Sequence, residues 1–394
     1  MFMIAWSKRK LGEIYTERNE RGDGSLPILS VSIHTGVSNG ELDSGSLGKE
    51  VRRSEDKSLY KRVQPGDLIF NMMRAWQGAI GCTEIMGMVS PAYITAEPNG
   101  DVHPCFMDYA VRRTQTVAQI DSQSYGVTDF RKRLYWDSFI GITCELPSVP
   151  EQEKIADLLS RLDALIAANQ RKADLLKQLK RAYLQRLFPA PGETVPRLRF
   201  LGFDDEWTKR TLGEVTVRVQ GNDGRMDLAT LTISAAGGWL DQRDRFSGNI
   251  AGNEQWNYTL LRRGQLSYNH GNSKLAKYGT VFELRDYDEA LVPRVYHSFA
   301  CSEAATPAFI ETLFASGIPD AELAKLVSSG ARMDGLLNIN FNDFMGIEIT
   351  LPRFGEQIRI GGFFRALDAL ITTQIGRVAG LERVKHAYLR QMFV

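Results

Sequence analysis

Leu162-Asp163-Ala164-Leu165-Ile166 recurs letter for letter as Leu367-Asp368-Ala369-Leu370-Ile371, an offset of 205 residues (367 minus 162). The same offset holds upstream, where Leu146-Pro147 and Glu151-Gln152 return as Leu351-Pro352 and Glu356-Gln357. It holds downstream too, for Ala182-Tyr183-Leu184 against Ala387-Tyr388-Leu389 and for Phe188 against Phe393. The fronts of the two repeats match at an offset of 201 (207 minus 6): Trp6, Lys8, Arg9, Leu11, Gly12 and Glu13 face Trp207, Lys209, Arg210, Leu212, Gly213 and Glu214. Between these ends the likeness thins to scattered pairs, such as Gly66-Asp67-Leu68 with Asn71 against Gly264-Gln265-Leu266 with Asn269. Similar ends supply a shared frame, and divergent middles mark where two copies of one fold carry different tasks.

The repeated block reads as a long helix. Pro150 suits a first helical position, Glu151 and Glu153 favour the N-terminus, and Pro189 and Pro191 end the run. Its apolar residues follow a heptad: Ile155, Leu162, Asn169, Leu176 and Tyr183 as a positions, with Leu158, Leu159, Leu165, Ile166, Ala173, Leu179 and Leu187 at d and e. The second copy gives Ile360, Leu367, Gln374, Leu381 and Tyr388 in the same register. Two such seams bury best against each other, which predicts an antiparallel coiled coil in a pseudo-two-fold arrangement. Asn169 and Gln374, each third of five a positions, are then expected near the midpoint, fixing register and direction.

The expected organisation is α+β: a domain over 1–148, a helix over 149–188, a linker over 189–200, a second domain over 201–353 and a second helix over 354–394. Strand-like runs at 26–33, 68–71, 89–95 and 140–146 mix with helical segments at 307–316 and 320–328. Within that linker, the Pro- and Gly-rich stretch from Pro189 to Pro196 is expected to turn freely. A helix of about 38 residues at 1.5 Å each is a rod of roughly 57 Å, longer than the 34–36 Å between successive major-groove faces. Domains held apart by it would read two separated patches of duplex, and their differing middles imply an asymmetric bipartite target.

Composition excludes several alternatives. A chain of 394 residues, 24% charged and 43% hydrophobic, describes a globular protein rather than a disordered one. No apolar run approaches the roughly 20 residues of a membrane span, and the first ten residues lack a signal-peptide pattern, so no membrane partner and a cytoplasmic location are expected. Cys82, Cys105, Cys144 and Cys301 are scattered without a CxxC pair, and His34, His103, His270, His297 and His386 show no ligand spacing, so no metal is expected. The net charge of +1 leaves any nucleic-acid binding to local basic patches.

The order of parts resembles the specificity subunit of type I restriction-modification systems, across essentially the whole chain. Its signatures resemble residues 6–13, Pro65-Gly66-Asp67-Leu68-Ile69-Phe70, and Leu146-Pro147 with Glu151-Gln152-Glu153-Lys154-Ile155-Ala156, and their occurrence twice, in order, with a helix after each carries the resemblance. The resemblance implies two target-recognition domains, each reading half of a bipartite double-stranded DNA target. It implies helices that set the gap and dock two modification subunits, which are adenine-N6 methyltransferases, with restriction and translocase subunits joining through the complex. No cofactor is then expected on this chain; S-adenosylmethionine, ATP and Mg belong to the partners.

No motif contradicts a non-catalytic role. There is no Gly-x4-Gly-Lys-Ser/Thr loop and no Asn-Pro-Pro-aromatic or Asp-Pro-Pro-aromatic run, and the Glu151-Gln152-Glu153-Lys154 spacing returns as Glu356-Gln357-Ile358-Arg359, without the second acid and the lysine. Two alternatives stand beside this reading: a coiled-coil scaffold without DNA specificity, and the specificity module of a combined type II restriction-modification enzyme.

Contact residues follow from type and clustering, since phosphates attract Lys and Arg while base edges are read by Arg, Lys, Asn and Gln. The first domain offers Lys49, Arg52 and Arg53, then Asn71, Arg74 and Gln77, then Arg131 and Arg133 beside Lys132. The second offers Arg243 and Arg245, then Asn269, Asn272, Lys274 and Lys277, then Arg332 and Asn338. Arg171, Lys172, Lys177, Lys180, Arg181 and Arg186 make the end of the first helix basic, which suits the helix dipole as well as spacer phosphates or a docked partner.

Overall fold

The two repeats, so different in their middles, fold by one topology. A computed structural model describes residues 6–39, 57–126, 131–190, 192–235, 237–246, 252–271, 276–327 and 337–393. In the first repeat an antiparallel sheet runs in the order Tyr15–Glu17, Tyr93–Pro98, Leu68–Asn71, Ile80–Cys82. In the second the order is Thr216–Arg218, His297–Cys301, Leu266–Asn269, Thr280–Glu283. Each domain is closed by its first and last strands, with Ser7 opposite Leu146 and Thr208 opposite Leu351. The remaining hairpin and strand pairs also correspond one to one. The strand expected at 89–95 starts later, as Tyr93–Pro98, because Ser90 and Pro91 turn the chain between Gly87–Val89 and that strand.

The first long helix spans Val149–Arg186 and the second Phe354–Met392. Why Gln152 and Gln357 recur is visible at their first turns. Gln152 Nε2 donates to Asp101 O (3.1 Å) and Pro147 O (3.0 Å) while its Oε1 accepts from His103 N (2.8 Å). Gln357 does the same with Ala304 O (3.0 Å), Pro352 O (3.0 Å) and Thr306 N (2.9 Å). One buried amide thus satisfies three backbone groups where strand turns into helix, and ties that turn to the start of an earlier helix, Pro104–Val111 or Pro307–Ala315. Gly361 lies inside the second long helix because an added Cβ would stand 2.7 Å from the Ala308 Cβ.

Compact units do not follow chain order: residues 1–169 with 377–394 form one, and 170–376 the other. Each holds a globular part, the start of the long helix that follows it, and the end of the other long helix. In the first unit Phe393 stacks on Phe106 (centroids 5.1 Å) and meets Trp6 edge-on (5.8 Å). In the second, Phe188 stacks on Phe309 (5.6 Å) and meets Trp207 edge-on (5.7 Å). Burying each phenylalanine contributes about 2 kcal/mol. The two segments of long helix inside the second unit run in opposite directions, since Lys180 meets Asp368 and Tyr183 meets Phe363. Inside the first, Lys385 meets Asp163, and Leu389, Met392 and Phe393 join the core that holds Ile155, Ala156 and Leu159.

The expected seam is kept at its a and e positions and lost at d. Ile155, Leu162, Ile360, Leu367 and Gln374 are buried as expected, together with the e residues Leu159 and Ala173 of the first long helix and Phe364, Ile371 and Val378 of the second. The d residues Leu165 and Leu370 point outward, 50% and 58% exposed. A four-then-three spacing still repeats every seven residues, so the stripe is kept while its centre moves around the helix toward the globular core. Leu176, Tyr183 and Leu381 are half-buried. Tyr388 is exposed, because at that end the helix turns Leu389, Met392 and Phe393 into the first domain. Asn169 donates Nδ2 to Leu165 O of its own helix (2.7 Å).

The linker does not turn freely. Arg199 forks onto the fully buried Glu356, with Nε to Oε1 and Nη2 to Oε2 both at 2.8 Å. Leu198 N donates to Arg186 O (2.9 Å) and Trp207 N to Thr194 O (2.9 Å). A buried carboxylate requires such a bidentate partner, so the arginine fixes the end of the linker to the start of the second long helix.

Candidate nucleic-acid interface

In the first domain the chain leaves the central strand Leu68–Asn71 through a tight turn, in which Asn71 Oδ1 accepts from Met73 N (3.0 Å). The 3-10 turn Ala75–Gln77 follows, buried through Ala75 and presenting Arg74 and Gln77 to solvent. A second segment arrives beside it: Leu134 N donates to Met72 O (2.9 Å), and Tyr125 and Arg133 exchange two backbone hydrogen bonds (3.1 and 2.9 Å). Two clusters some 60 residues apart in sequence (131 minus 71) thereby share one surface.

That surface carries the exposed cations Arg74, Arg131 and Arg133. Lys132 pairs with Asp121 (2.9 Å) and lies 6.0 Å from the Trp76 ring centroid. Aromatic groups lie among the charges: Tyr125, 53% exposed, packs on Tyr135 with centroids 5.0 Å apart. Such an array suits a polyanion with stacked, partly apolar faces. Sequence reasoning missed Trp76, Tyr125 and Tyr135; their interleaving with Arg131–Arg133 was the available signal.

The second domain repeats the construction. Leu337 N donates to His270 O (2.9 Å), the counterpart of the Leu134–Met72 bond. Asn269 Oδ1 accepts from Gly271 N (3.0 Å) and its Nδ2 donates to Ile233 O (3.2 Å), so both asparagines hold turns in place. Lys277 lies over the Tyr278 ring (5.2 Å), and Asn338 is exposed. Beneath, His270 and His297 stack at 5.0 Å, with Tyr268 flat on Phe344 at 4.3 Å. His270 presents Nδ1 to Leu337 O (2.7 Å) and Nε2 to Val295 O (2.9 Å), so these histidines pack and tether the surface segment from below.

Arg243 is exposed but committed to Asp241 through Nε (3.2 Å) and Nη2 (2.9 Å), which holds the Asp241 carboxyl below its usual range. Arg245 belongs to the short helix Gln242–Phe246. Lys49, Arg52, Arg53, Asn272, Lys274 and Arg332 lie outside the described residues. Towards the end of the first long helix Lys180 is paired with Asp368 and Lys177 with Asp174, while Arg171, Lys172, Arg181 and Arg186 are exposed. Among the described residues no group of His, Cys, Asp and Glu is arranged to hold a metal, and no helix is long and apolar enough to cross a membrane.

No protein-family model and no curated protein matches the chain. Among solved structures it is similar to the type I restriction-modification S subunit from M. genitalium, at 12% identity and TM-score 0.59, covering 100% of this chain and 97% of that one. It also matches the HsdS subunit from Thermoanaerobacter tengcongensis (16% identity, TM-score 0.46, 100% and 97% covered). A third match comes from a study of assembly and conformational transition in a type I R-M system (17% identity, TM-score 0.49, 98% and 97% covered). The fold is that of the M. genitalium S subunit, end to end.

Proposed function

We propose that this chain is the DNA-specificity subunit of a type I restriction-modification enzyme, working in the cytoplasm and performing no chemistry itself. The observation that carries the reading is the doubled surface: in both domains one backbone hydrogen bond brings a turn after the central strand beside a second segment rich in Arg, Lys or Asn. Two such surfaces with different side chains fit an asymmetric bipartite target. The two long helices pack as an antiparallel coiled coil about a pseudo-two-fold axis, with Asn169 and Gln374 fixing its register, and set the unread gap. Domain limits are those of 1–148, 149–188, 189–200, 201–353 and 354–394.

Partners are double-stranded DNA, two methyltransferase subunits, and restriction and translocase subunits through the complex; S-adenosylmethionine, ATP and Mg act on those partners. Docking of two copies of one partner is supported by exposed apolar residues that recur at the 205-residue offset, Leu165 with Leu370 and Leu179 with Val384. Mapping methylated adenines by long-read sequencing in cells that carry this chain with its modification partners tests the proposal. A single gapped, asymmetric motif is expected. Methylation without any motif, or no enrichment from random DNA, would leave a coiled-coil scaffold as the better account.

A further inference from the structure

The two units differ most where a globular sheet meets the long helix that follows it. In the second unit this junction is filled by arginines. Arg365 of the helix pairs with Glu283 of the edge strand, and Arg285 donates Nη2 to both oxygens of Glu311 at 2.8 Å. Both glutamates are nearly buried, and only about 80 Å³ of open space is left there.

The first unit has the same backbone and none of those arginines. Sheet register sets Cys82 opposite Leu68 as Glu283 is set opposite Leu266. By the repeat offsets Ser160 stands at the position of Arg365 and Glu84 at that of Arg285, and Asp108, four residues after Pro104 at its helix start, matches Glu311, four after Pro307. A cavity of about 360 Å³ opens at this place, lined by Cys82, Glu84, Asp108, Tyr109 and Ser160 among others. Glu84 is exposed at its rim. Asp108 keeps one oxygen on Cys82 N (2.9 Å) and the other at 3.3 Å from Arg112. Burial, with these two carboxylates nearby, pushes the Cys105 thiol up.

We infer that this cavity binds a guanidinium group, in the space that the second unit fills with its own arginines. Glu84 and Asp108 supply the carboxylate acceptors, Ser160 Oγ a further acceptor, and the planar fork of the cation matches them as Arg285 matches Glu311. Ser160 lies on the long helix and the acids on the domain, so an occupant ties the two together as Arg365 does in the other unit. The site stands whether or not the domains read DNA.

Saturation-transfer NMR on the full-length chain tests it, with agmatine as probe and 1,4-diaminobutane as a control of equal charge and chain length. Agmatine is expected to bind saturably and about tenfold or more tighter than the diamine. Glu84→Gln, a rim change that leaves the core intact, should weaken agmatine about tenfold. Ser160→Arg should do the same by placing a side chain in the space. Acetyl-Ala-Arg-Ala-amide separates the sources: its binding points to an arginine of a partner polypeptide, and its exclusion while agmatine binds points to a free guanidino compound. Absence of saturable agmatine binding, equal binding of the diamine, or unchanged binding in both variants overturns the inference.

Discussion

Lys385 Nζ stands 2.6 Å from Asp163 Oδ1, and in the other unit Lys180 Nζ stands 2.6 Å from Asp368 Oδ1. The same pair is built twice, because both members recur at the 205-residue offset. Asp163 also accepts from the Tyr109 hydroxyl at 2.7 Å, where the second repeat has Thr312 bonded to Ala308 O instead.

Breaking the pair should therefore cost more in the first unit. The side chains are partly exposed, so we expect a coupling of about 0.5–1 kcal/mol from a double-mutant cycle on Asp368 and Lys180, after allowing for screening. Asp163→Ala should cost about 1 kcal/mol more than Asp368→Ala, for the lost tyrosine hydrogen bond. Urea unfolding of both series measures this; equal costs would deny Tyr109 its share.

Gln152→Leu and Gln357→Leu should each destabilise by about 2–4 kcal/mol, because each leaves two carbonyls and one N–H without their partner in a buried turn. The loss is read from the urea midpoint of the unit concerned. A change below about 0.5 kcal/mol would show that water replaces the amide there.

On the proposed DNA surface, Arg74→Ala and Arg133→Ala should weaken binding about tenfold or more and relax specificity in one half of the target only. Lys277→Ala should act on the other half. A residue that touches phosphate alone will instead lower the salt slope by about 1 without changing base preference. Arg243→Ala, whose charge is already met by Asp241, should have little effect. Competition binding against randomised half-sites at two salt concentrations separates these outcomes.

His297 gives stability a defined pH dependence. Burial, with His270 and Arg218 nearby, pushes its imidazole down to about 4, against about 6.5 in an unfolded chain. The unfolded state takes up the proton first, so stability is full above pH about 6.5 and falls toward pH about 4, by as much as about 3 kcal/mol. Glu311 and Asp320, raised by burial, act in the opposite sense, so the comparison is with His297→Gln, which keeps a donor for Ile339 O. Parallel pH–stability curves for the two proteins would rule this contribution out.

The frame was legible because its signals are local or repeated. A long helix announces itself through Pro150, a seven-residue stripe and the terminal prolines, and the copied block at 205 residues needs no tertiary context. The burial seam was half legible: Ile155, Leu162, Ile360 and Leu367 were found, whereas the outward turn of Leu165 and Leu370 depends on the domain each helix must also cover. The candidate surface offered the sequence only its clusters, not their assembly into one face. Its joining bond, Leu134 N to Met72 O, links segments with no sequence signal for each other.

The sequence by itself determined that there are two copies of one fold, that each ends in a long amphipathic helix, and that the copies differ in their middles. Periodicity and internal repetition are properties of neighbouring residues along the chain, and survive without coordinates. Tertiary structure alone decided that Phe188 and Phe393 each close the core of the domain that does not precede their helix, and that Arg199 fastens a linker that composition left free. It also decided which junction is filled by arginine and which holds a cavity. Those outcomes rest on burial and charge pairing between residues up to 387 positions apart (393 minus 6), as for Trp6 and Phe393, and such contacts are set by packing rather than by local order.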